Sequence, residues 1–314
     1  HFDEGNPMSN QVGNTAQVTY ENNVELALNQ TKSMLQDALV EQSASGEKAK
    51  IKDIVGNVAS QTANERHGDT KYVNTPHDGV WLPKPDEEYY ADLVDNADEL
   101  ATGINIQGTY TMAAAATINR ARDDKDLQGL YSPIISGKDG LTSTPFPAGM
   151  IVPVTTGGAS GAQRFNVAKI RAANKLLLQN FNDMNEPRFM TLCAEQVDDL
   201  LGEIPATSAD FQRVFGGEYE NGILKRFLGF TIIPIELSNP LLKFSAPLSV
   251  DGSGYRKNLF WTKSGARRGV WQKLRTSIDP MPGKLLSKQV FAGTTVAATR
   301  TQAGKVGIIL NSEA

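Results

Sequence analysis

Two groups of carboxylates are the side chains of this sequence best suited to chemistry. One group is spread over residues 86–99, and the other comprises Asp123, Asp124 and Asp126. Paired carboxylates can serve as a general acid and a general base, and clustered aspartates can bind a divalent cation. The first group has no histidine, lysine or metal partner at a fixed spacing, and the second lacks the Asp-x-Asp-x-Asp-Gly loop of a calcium site. We therefore interpret the first group as a solvated or intersubunit acidic face, and the second as salt-bridge partners of neighbouring arginines.

The remaining candidate sites match known catalytic or binding motifs less well. The glycine-rich run 157–162 lacks the Gly-Lys-Ser/Thr ending of a phosphate loop, so we interpret it as a flexible loop. Cys193, the only cysteine of the sequence, lies in an apolar strand pattern, which predicts a small buried side chain. One cysteine and three histidines do not suit a structural zinc site. The sequence predicts no enzyme, no cofactor and no metal site.

A modest basic stretch lies near Trp261 and Trp271. It contains Arg267, Arg268, Lys273 and Arg275. Such a stretch can contact nucleic acid, or it can pair with the acidic face of a neighbouring subunit. We favour the second interpretation.

The composition is that of a folded chain, with 40% hydrophobic and 21% charged residues. A length of 314 residues allows two domains or one elongated domain. The net charge of −4 argues against a dedicated nucleic-acid-binding protein, although a surface facing packaged nucleic acid can still be locally basic. No apolar run approaches the ~20 residues of a membrane span. No secretory signal is apparent, and Met8 resembles a natural start, so residues 1–7 are left out of the fold prediction.

The N-terminal part is expected to depend on contacts with something else. Residues 9–20 form a polar arm. Five positions that follow are spaced as on one face of a helix: Val24, Leu28, Thr31, Leu35 and Leu39. This helix packs either on a neighbouring subunit or on the core of its own chain.

Residues 45–85 are predicted to form an extended hairpin. Residues 48–55 alternate charged and apolar side chains, as a strand does. Residues 71–75 and 79–82 are expected to return along it beyond a polar tip at 57–69, with two prolines that confine the return to an edge. An isolated hairpin is only marginally stable in water. We therefore expect this ribbon to lie across another subunit.

A long alanine-rich helix is expected to follow, beginning at Thr109 and ending near Leu127 in a charge cluster. Further helices are predicted over 165–181, over 195–201 and from Ser208. Buried strands are predicted over 188–194 and 229–235. The alternating segments 288–300 and 305–310 are predicted to pair as a terminal hairpin.

Several segments resemble the major capsid proteins of tailed double-stranded DNA bacteriophages with the Hong Kong 97 fold. The similar segments begin at Tyr89 (YYADLVDNAD), Ala113 (AAAATINRARDD), Leu259 (LFWTKSG), Thr276 (TSIDPMPGK) and Gln289 (QVFAGTTVAATR). The resemblance covers roughly residues 45–310. The Asp-Pro that often precedes the spine helix of this family is absent, and Ile104-Asn105 stands near that place.

This resemblance implies an α+β fold with an N-terminal arm, an extended β-hairpin loop, a spine helix with a peripheral sheet, and a central axial α/β domain. The implied boundaries are an arm and helix over 1–44, the extended loop over 45–85, the peripheral domain with the spine helix over 86–164, the axial domain over 165–255, and a return to the peripheral sheet over 256–314.

The implied function is that of a major capsid protein, which assembles as pentamers and hexamers into the icosahedral head of a tailed phage. The implied partners are copies of the chain itself, packaged double-stranded DNA bound non-specifically, scaffold and portal proteins, and possible decoration proteins, with no membrane. The implied location is the virion, after assembly in the host cytoplasm. The residues expected to contact neighbouring subunits are Val24, Leu28, Leu35, Lys50, Lys71, Trp81, Asp86, Glu87, Arg267 and Arg268.

Two alternatives stay open from the sequence. An encapsulin-like nanocompartment would have the same fold around an enzyme cargo, and a soluble enzyme would use the carboxylates of residues 86–99. Some relatives crosslink a hairpin lysine to an asparagine, but nothing marks Lys48, Lys50, Lys52 or Lys71 as activated. Noncovalent contact is therefore the expectation.

Overall fold

The computed structural model describes residues 33–56, 58–62, 69–70, 72–75, 77–94, 106–158, 160–203, 218–220, 223–236 and 241–313. The described residues divide into two compact units. The first unit lies within residues 87–120 and 272–294, and the second lies within residues 34–86, 121–271 and 295–314.

Three α-helices and fifteen β-strands are found in these described ranges. The helices are α1 (Ile106–Tyr131), α2 (Val167–Gln179) and α3 (Ala194–Glu203). The strands are β1 (Val40–Ser43), β2 (Lys48–Val55), β3 (His77–Pro83), β4 (Glu88–Val94), β5 (Ile134–Ser136), β6 (Thr142–Thr144), β7 (Ile151–Val152), β8 (Arg188–Leu192), β9 (Glu218–Glu220), β10 (Ile223–Phe227), β11 (Phe230–Pro234), β12 (Tyr255–Thr262), β13 (Ala266–Pro280), β14 (Lys288–Arg300) and β15 (Val306–Ser312).

A seven-stranded sheet forms the centre of the second unit, in the order β7-β15-β12-β8-β11-β10-β9. Strands β8 and β11 are parallel, and β12 is antiparallel to both of its neighbours. Successive side chains of a strand point to opposite faces. Trp261 accordingly packs in one buried cluster with Leu35 and Leu130. Phe260 packs in the other with Ile170 and Leu177 of α2. The sheet therefore has a hydrophobic layer on each face.

In the first unit, one face of helix α1 packs against strands β4 and β14. These two strands are antiparallel neighbours. Ala114 and Ile118 of the helix form a buried cluster with Val94, Val290 and Ala292. The two helix residues lie four positions apart, as residues on one helix face do. The alanine-rich sequence thus leaves room for close packing of the helix on the sheet.

The structure extends the predicted spine helix at both ends. Helix α1 begins at Ile106 and ends at Tyr131, instead of running from Thr109 to about Leu127. Its last turn approaches β14 closely at Gly129, where an added Cβ would lie 2.1 Å from the Ala298 carbonyl oxygen. Glycine has a low helix propensity, but here it allows this contact. The charge cluster therefore lies within the helix and not at its end.

The predicted N-terminal helix is wrong over its described last turn. Residues 34–39 form bends and turns that lead into β1. Leu35 and Leu39 are nevertheless buried, as core residues of the second unit. The backbone N–H groups of Met34 and Leu35 donate to the Asp123 carboxylate, so tertiary bonds replace helical ones. Val24, Leu28 and Thr31 lie outside the described residues.

The predicted terminal hairpin is also wrong. Strand β14 spans residues 288–300 as predicted, but it belongs to a four-stranded sheet of order β1-β13-β14-β4. Strand β15 instead pairs with β12 and β7 in the central sheet. Both strands are buried at most positions on both faces, and the alternating sequence pattern did not specify which strand is the partner.

Most of the other local predictions are confirmed. Strands β8 and β11 and helices α2 and α3 lie where the apolar patterns placed them. Asn166 caps α2, because its side chain accepts from the Lys169 N–H. Cys193 is buried, as predicted, immediately before α3. The helix predicted from Ser208 lies outside the described residues.

Candidate assembly surfaces

The predicted hairpin is confirmed as strands β2 and β3, which pair antiparallel from Lys48–Pro83 to Val55–His77. The return strand begins at His77, later than predicted. Strand β5 pairs with β3, and β6 with β5, so the ribbon is half of a four-stranded sheet. These extra pairings anchor one end of the ribbon within its own chain. An isolated two-stranded ribbon would lack that support.

The ribbon exposes both charge and apolar surface. Lys50 forms a salt bridge with Asp53, with 2.9 Å between Nζ and Oδ1, and both side chains are well exposed. The same ammonium lies 5.7 Å from the Trp81 ring centroid. Val55, at the end of β2, is 56% exposed, and Tyr72, beyond the paired strands, is 92% exposed. Exposed apolar side chains grouped on one segment are typical of an interaction surface.

Trp81 fixes the base of the ribbon. Its Nε1–H donates to the Gly137 carbonyl at 2.9 Å. Asp78 Oδ1 accepts from the Gly137 and Gly79 N–H groups at 2.7 and 2.8 Å. Gly140 has φ +65°, and an added Cβ would lie 2.7 Å from the indole ring. The β5–β6 turn can therefore close over Trp81 only with glycine at this position.

The charged part of α1 forms a buried anchor within the second unit. The Asp126 carboxylate and the Arg268 guanidinium form a salt bridge in which both side chains are fully buried. Glu41 Oε2 lies 3.8 Å from Arg268 Nη1 and accepts from Arg122 Nη2 at 2.9 Å. The prediction that these aspartates are salt-bridge partners is therefore confirmed for Asp126.

The other two aspartates accept hydrogen bonds from backbone N–H groups. Asp123 accepts from the two N–H groups of residues 34 and 35, at 2.8 and 3.4 Å. Asp124 accepts from the N–H groups of Lys243, Phe244 and Ser245, the last two at 2.7 Å. Charge-assisted bonds of this kind are stronger than neutral ones. One helix segment thus holds two irregular chain segments in place.

Burial determines how these groups ionise. Burial raises the pKa of Asp126, and the attraction of Arg268 opposes that rise. Burial alone would lower the pKa of Arg268, but the net shift is upward because Asp126, Asp123 and Glu41 favour its charged form. The pair therefore stabilises the fold only while both partners are present.

The cationic foot of the ribbon comprises Lys52, Arg267 and Lys305. Lys305 Nζ donates to Ser264 Oγ at 2.5 Å and lies 3.9 Å from the Glu186 carboxylate. Ser264 also donates to Glu186 through its N–H and its Oγ. Burial lowers the pKa of Lys52, and the positive charges of Lys305 and Arg267 lower it further. The Glu186 carboxylate opposes this lowering, so it partly compensates the positive charges around Lys52.

In the first unit, the sheet presents an aromatic group on its outer face. The rings of Tyr89 and Phe291 stack at 6.0 Å with 13° between their planes. The Arg275 guanidinium lies 5.0 Å from the Phe291 centroid, and its Nη2 is 4.0 Å from Glu87 Oε1. Tyr89 is 67% exposed. This face combines aromatic, acidic and basic groups at the surface.

The ten predicted contact residues divide into three sets. Val24, Leu28 and Lys71 lie outside the described residues. Lys50, Trp81, Asp86, Glu87 and Arg267 are fully or partly exposed, so contact with a neighbour stays a prediction for them. Leu35 and Arg268 are fully buried within the second unit. Within the chain, Leu35 packs in the Trp261 cluster and Arg268 pairs with Asp126.

Several side chains of the basic stretch have contacts within the chain, and its pairing with a neighbour remains a prediction. Arg268 binds Asp126, and Arg275 lies beside Glu87 of the same chain. Arg267 Nη1 donates to Gln42 Oε1 at 3.0 Å. Arg267, Arg268 and Arg275 therefore already have contacts within their own chain.

Two buried cations were not predicted from the sequence. Lys169 Nζ donates to the carbonyls of Gln163 and Leu310 and to Asn311 Oδ1, and burial lowers its pKa to about 8. Arg300 donates to the carbonyls of Leu130 and Ser132 at the end of α1, and burial lowers its pKa to about 10. Arg300 thus satisfies carbonyls that a helix end leaves free. Its place one residue after a buried alternating pattern was the only available signal.

Within the described ranges, no group of three or more His, Cys, Asp or Glu side chains could hold a metal ion. No helix of the described residues is long and apolar enough to span a membrane.

The sequence of this chain matches the model of a family described as phage capsid protein, over residues 12–313. The chain belongs to this phage capsid protein family. The match covers both units and the ribbon, and the predicted family is thus confirmed. No curated protein matches the chain.

Solved capsid structures share the fold. The capsid protein of cyanophage P-SCSP1u is 12% identical, covers 93% of this chain and 91% of its own, and has a TM-score of 0.66. That of Ralstonia phage GP4 is also 12% identical, with 99% and 97% covered and a TM-score of 0.66. That of Helicobacter pylori bacteriophage KHP30 is 12% identical, with 99% and 98% covered and a TM-score of 0.61. At these identities the likeness shows the fold alone.

These matches confirm the predicted α+β fold of the Hong Kong 97 type and the prediction of a phage major capsid protein. They do not favour the encapsulin-like alternative. Membership of a structural family implies a non-enzymatic role in the virion. The five predicted domain boundaries and the individual contact residues remain predictions.

Proposed function

We propose that this capsid protein assembles with copies of itself, as pentamers and hexamers, into a closed icosahedral shell around double-stranded DNA. The observation that carries the proposal is the ribbon. It is anchored at its base by β5 and Trp81, and it carries exposed Tyr72 and Val55 toward its tip. A fold gains little from holding such a segment in solvent. A neighbouring subunit that covers it would bury that apolar surface.

Assembly on this scheme depends on many weak contacts that repeat by symmetry. The ribbon contributes Lys50 and Trp81, its foot contributes Arg267, and the first unit contributes Glu87. Asp86 is exposed next to these groups in the sequence. The contacts are noncovalent in this proposal, in which Lys50 keeps its exposed ion pair with Asp53.

The finer partners belong to the same proposal. DNA would be held non-specifically through its phosphates, because the chain has a net charge of −4 and offers only local cationic groups. Scaffold and portal proteins, and possible decoration proteins, would join during assembly in the host cytoplasm. The segments 1–44, 45–85, 86–164, 165–255 and 256–314 would act as arm, extended loop, peripheral domain, axial domain and returning sheet.

Deletion of residues 57–69 tests the central role of the ribbon. We expect this variant to stay folded and soluble, because the deleted residues lie beyond the paired strands, but to form no closed shells. A matched control replaces the same residues with a Gly/Ser linker of equal length, which restores the length of the segment without its native side chains. Electron microscopy of both variants and of the unchanged chain would reveal shells. Normal shells from the deletion variant would refute the role.

The contents of purified particles test the enclosure of DNA. Nuclease-protected double-stranded DNA inside particles from an infected host would support the proposal. Particles that consistently contain an enzyme and no nucleic acid would refute it. Denaturing electrophoresis of the same particles would reveal ladders if subunits were crosslinked covalently.

A further inference from the structure

Phe181 projects into solvent from the end of helix α2. Its side chain is 96% exposed, and its backbone is left-handed, with φ 55°. Its N–H donates to the Leu178 carbonyl at 3.0 Å, and the Asn182 N–H donates to the Leu177 carbonyl at 3.2 Å. These two bonds form the Schellman motif that closes many helices. The left-handed position of that motif, which Phe181 occupies, usually holds glycine.

Phenylalanine at this position is unfavourable for the fold. A left-handed backbone brings Cβ close to the following carbonyl oxygen, and glycine alone avoids that crowding. Leu228 offers a comparison, because it is also left-handed, with φ 47°. Its side chain packs against the buried cluster around Phe227 and Phe230, so the fold gains a contact there. The ring of Phe181 is almost fully in solvent, so the described part of the chain gains little from it. Strained residues of this kind concentrate at functional sites.

The surroundings of Phe181 have the composition of a protein interface. The ring borders an open polar cleft of about 490 Å³. Four further lining residues matter here: Asn180, Asp183, Gln302 and Lys305. Asp183 is exposed. An aromatic side chain surrounded by a polar, hydrated rim is the usual anatomy of an interface hot spot.

We propose that Phe181 anchors a contact between two copies of this chain, with the polar cleft as the rim of that contact. This inference rests on the proposed function, since it names a surface used in shell assembly. The chain carries complementary chemistry for it. Strand β2 exposes the cation of Lys48 at one end and apolar Val55 at the other, whereas the Phe181 surface presents an aromatic ring near the exposed carboxylate of Asp183. A second copy can therefore supply both the apolar surface and the opposite charge.

Three single variants of the full chain test the proposal: Phe181→Ala, Phe181→Gly and, as a matched control, Leu228→Gly. The melting temperature is measured under conditions that keep the chain unassembled. The concentration at which half of the chain enters shells is measured by light scattering and electron microscopy. The unchanged chain is measured alongside.

The Phe181 variants are expected to assemble less readily, whereas Phe181→Gly should keep or gain thermal stability. Phe181→Gly should melt about 2 °C or more above Phe181→Ala and no lower than the unchanged chain, because glycine relieves the left-handed strain. Both variants should need a roughly tenfold higher concentration to assemble, because each lacks the ring. Leu228→Gly should melt several degrees lower, since it loses a packed side chain, while its folded fraction assembles at the normal concentration.

Two outcomes would overturn the inference while leaving the proposed function intact. Assembly of Phe181→Ala at the concentration of the unchanged chain would mean that a second copy is not the partner of the ring. A clear loss of melting temperature in Phe181→Gly would mean that the ring serves its own fold. If the unchanged chain failed to form shells, the proposed function itself would fail, and this inference with it.

Discussion

Two charge-rich segments of the second unit differ in whether their charged side chains are exposed or buried. In strand β2, Lys50 and Asp53 remain well exposed and pair only with each other. In helix α1, the four consecutive charged residues 123–126 are all buried. Each of the three aspartates in that run is bound by an arginine or by backbone N–H groups of other segments. Similar residue types thus form a surface in one place and an internal anchor in the other.

The difference shows which charges remain available to a partner. A buried charge must be paired or hydrogen-bonded, because its desolvation is costly. Such a charge is then committed to its own fold. An exposed pair contributes little to stability, and its charges remain accessible to a partner. Substitutions in the α1 anchor should therefore affect folding, and substitutions in the ribbon should affect assembly.

The largest effect is expected for Asp126→Asn. The change leaves the buried Arg268 guanidinium with only the weaker influence of Glu41 and Asp123, and it should lower the free energy of unfolding by about 3 kcal/mol. Asp53→Asn is the matched control in the ribbon and should change it by less than about 0.5 kcal/mol. Denaturant unfolding of both variants provides the measurement. Equal effects would contradict the distinction between anchor and surface.

A smaller effect is expected for Asp124→Ala. Its carboxylate accepts from three successive N–H groups at 243–245, and removal leaves those donors without it. We expect a loss of about 2 kcal/mol and faster hydrogen exchange at these amides. Unchanged exchange at 243–245 would indicate that other bonds hold that segment.

The pH dependence of stability tests a third buried charge. Burial lowers the pKa of Lys169 to about 8 in the folded chain, whereas a lysine in an unfolded chain titrates near 10.4. The unfolded chain therefore binds this proton more tightly, and protonation opposes folding below about pH 8. Between pH 8 and 9.5 the free energy of unfolding should rise by about 1.5 kcal/mol. Denaturant titrations at both pH values, compared with Lys169→Met, isolate this rise. An equal rise in the variant would assign it to other groups.

The smallest effect on stability is expected for Trp81→Phe. The change keeps most of the ring packing and removes the bond from Nε1–H to the Gly137 carbonyl, which should cost about 1 kcal/mol. We also expect weaker shell assembly, because the ribbon loses part of its anchor. Trp271→Phe is the control, since its Nε1–H donates to the Gly46 carbonyl away from that turn. Equal assembly defects in both variants would contradict a specific role for Trp81.

Regular patterns were predicted well from the sequence. Alternation placed β2 and β14, and continuous apolar runs placed β8 and β11, because the periodicity of side chains follows from local backbone geometry. The two main errors came from long-range effects. Residues 34–39 form turns instead of a helix, and the N–H groups of Met34 and Leu35 donate to the Asp123 carboxylate. Strand β15 pairs with β12 instead of β14.

The candidate site was less predictable than the fold. Trp81 and Lys50 were placed correctly on an extended ribbon, whereas Leu35 and Arg268 are internal. Phe181 was predicted only as part of a helix face, because the sequence does not reveal that its backbone turns left-handed after α2. A residue's exposure depends on what other segments place beside it.

The sequence by itself determined the family, the α+β class, the ribbon and the long alanine-rich helix, since these depend on local periodicity and on residue patterns. Only the tertiary structure decided which charges are buried, which strands are neighbours and which apolar side chains stay in solvent. The physical reason is that burial and pairing are set by contacts between residues distant in the chain. Asp126 and Arg268, 142 positions apart, illustrate this.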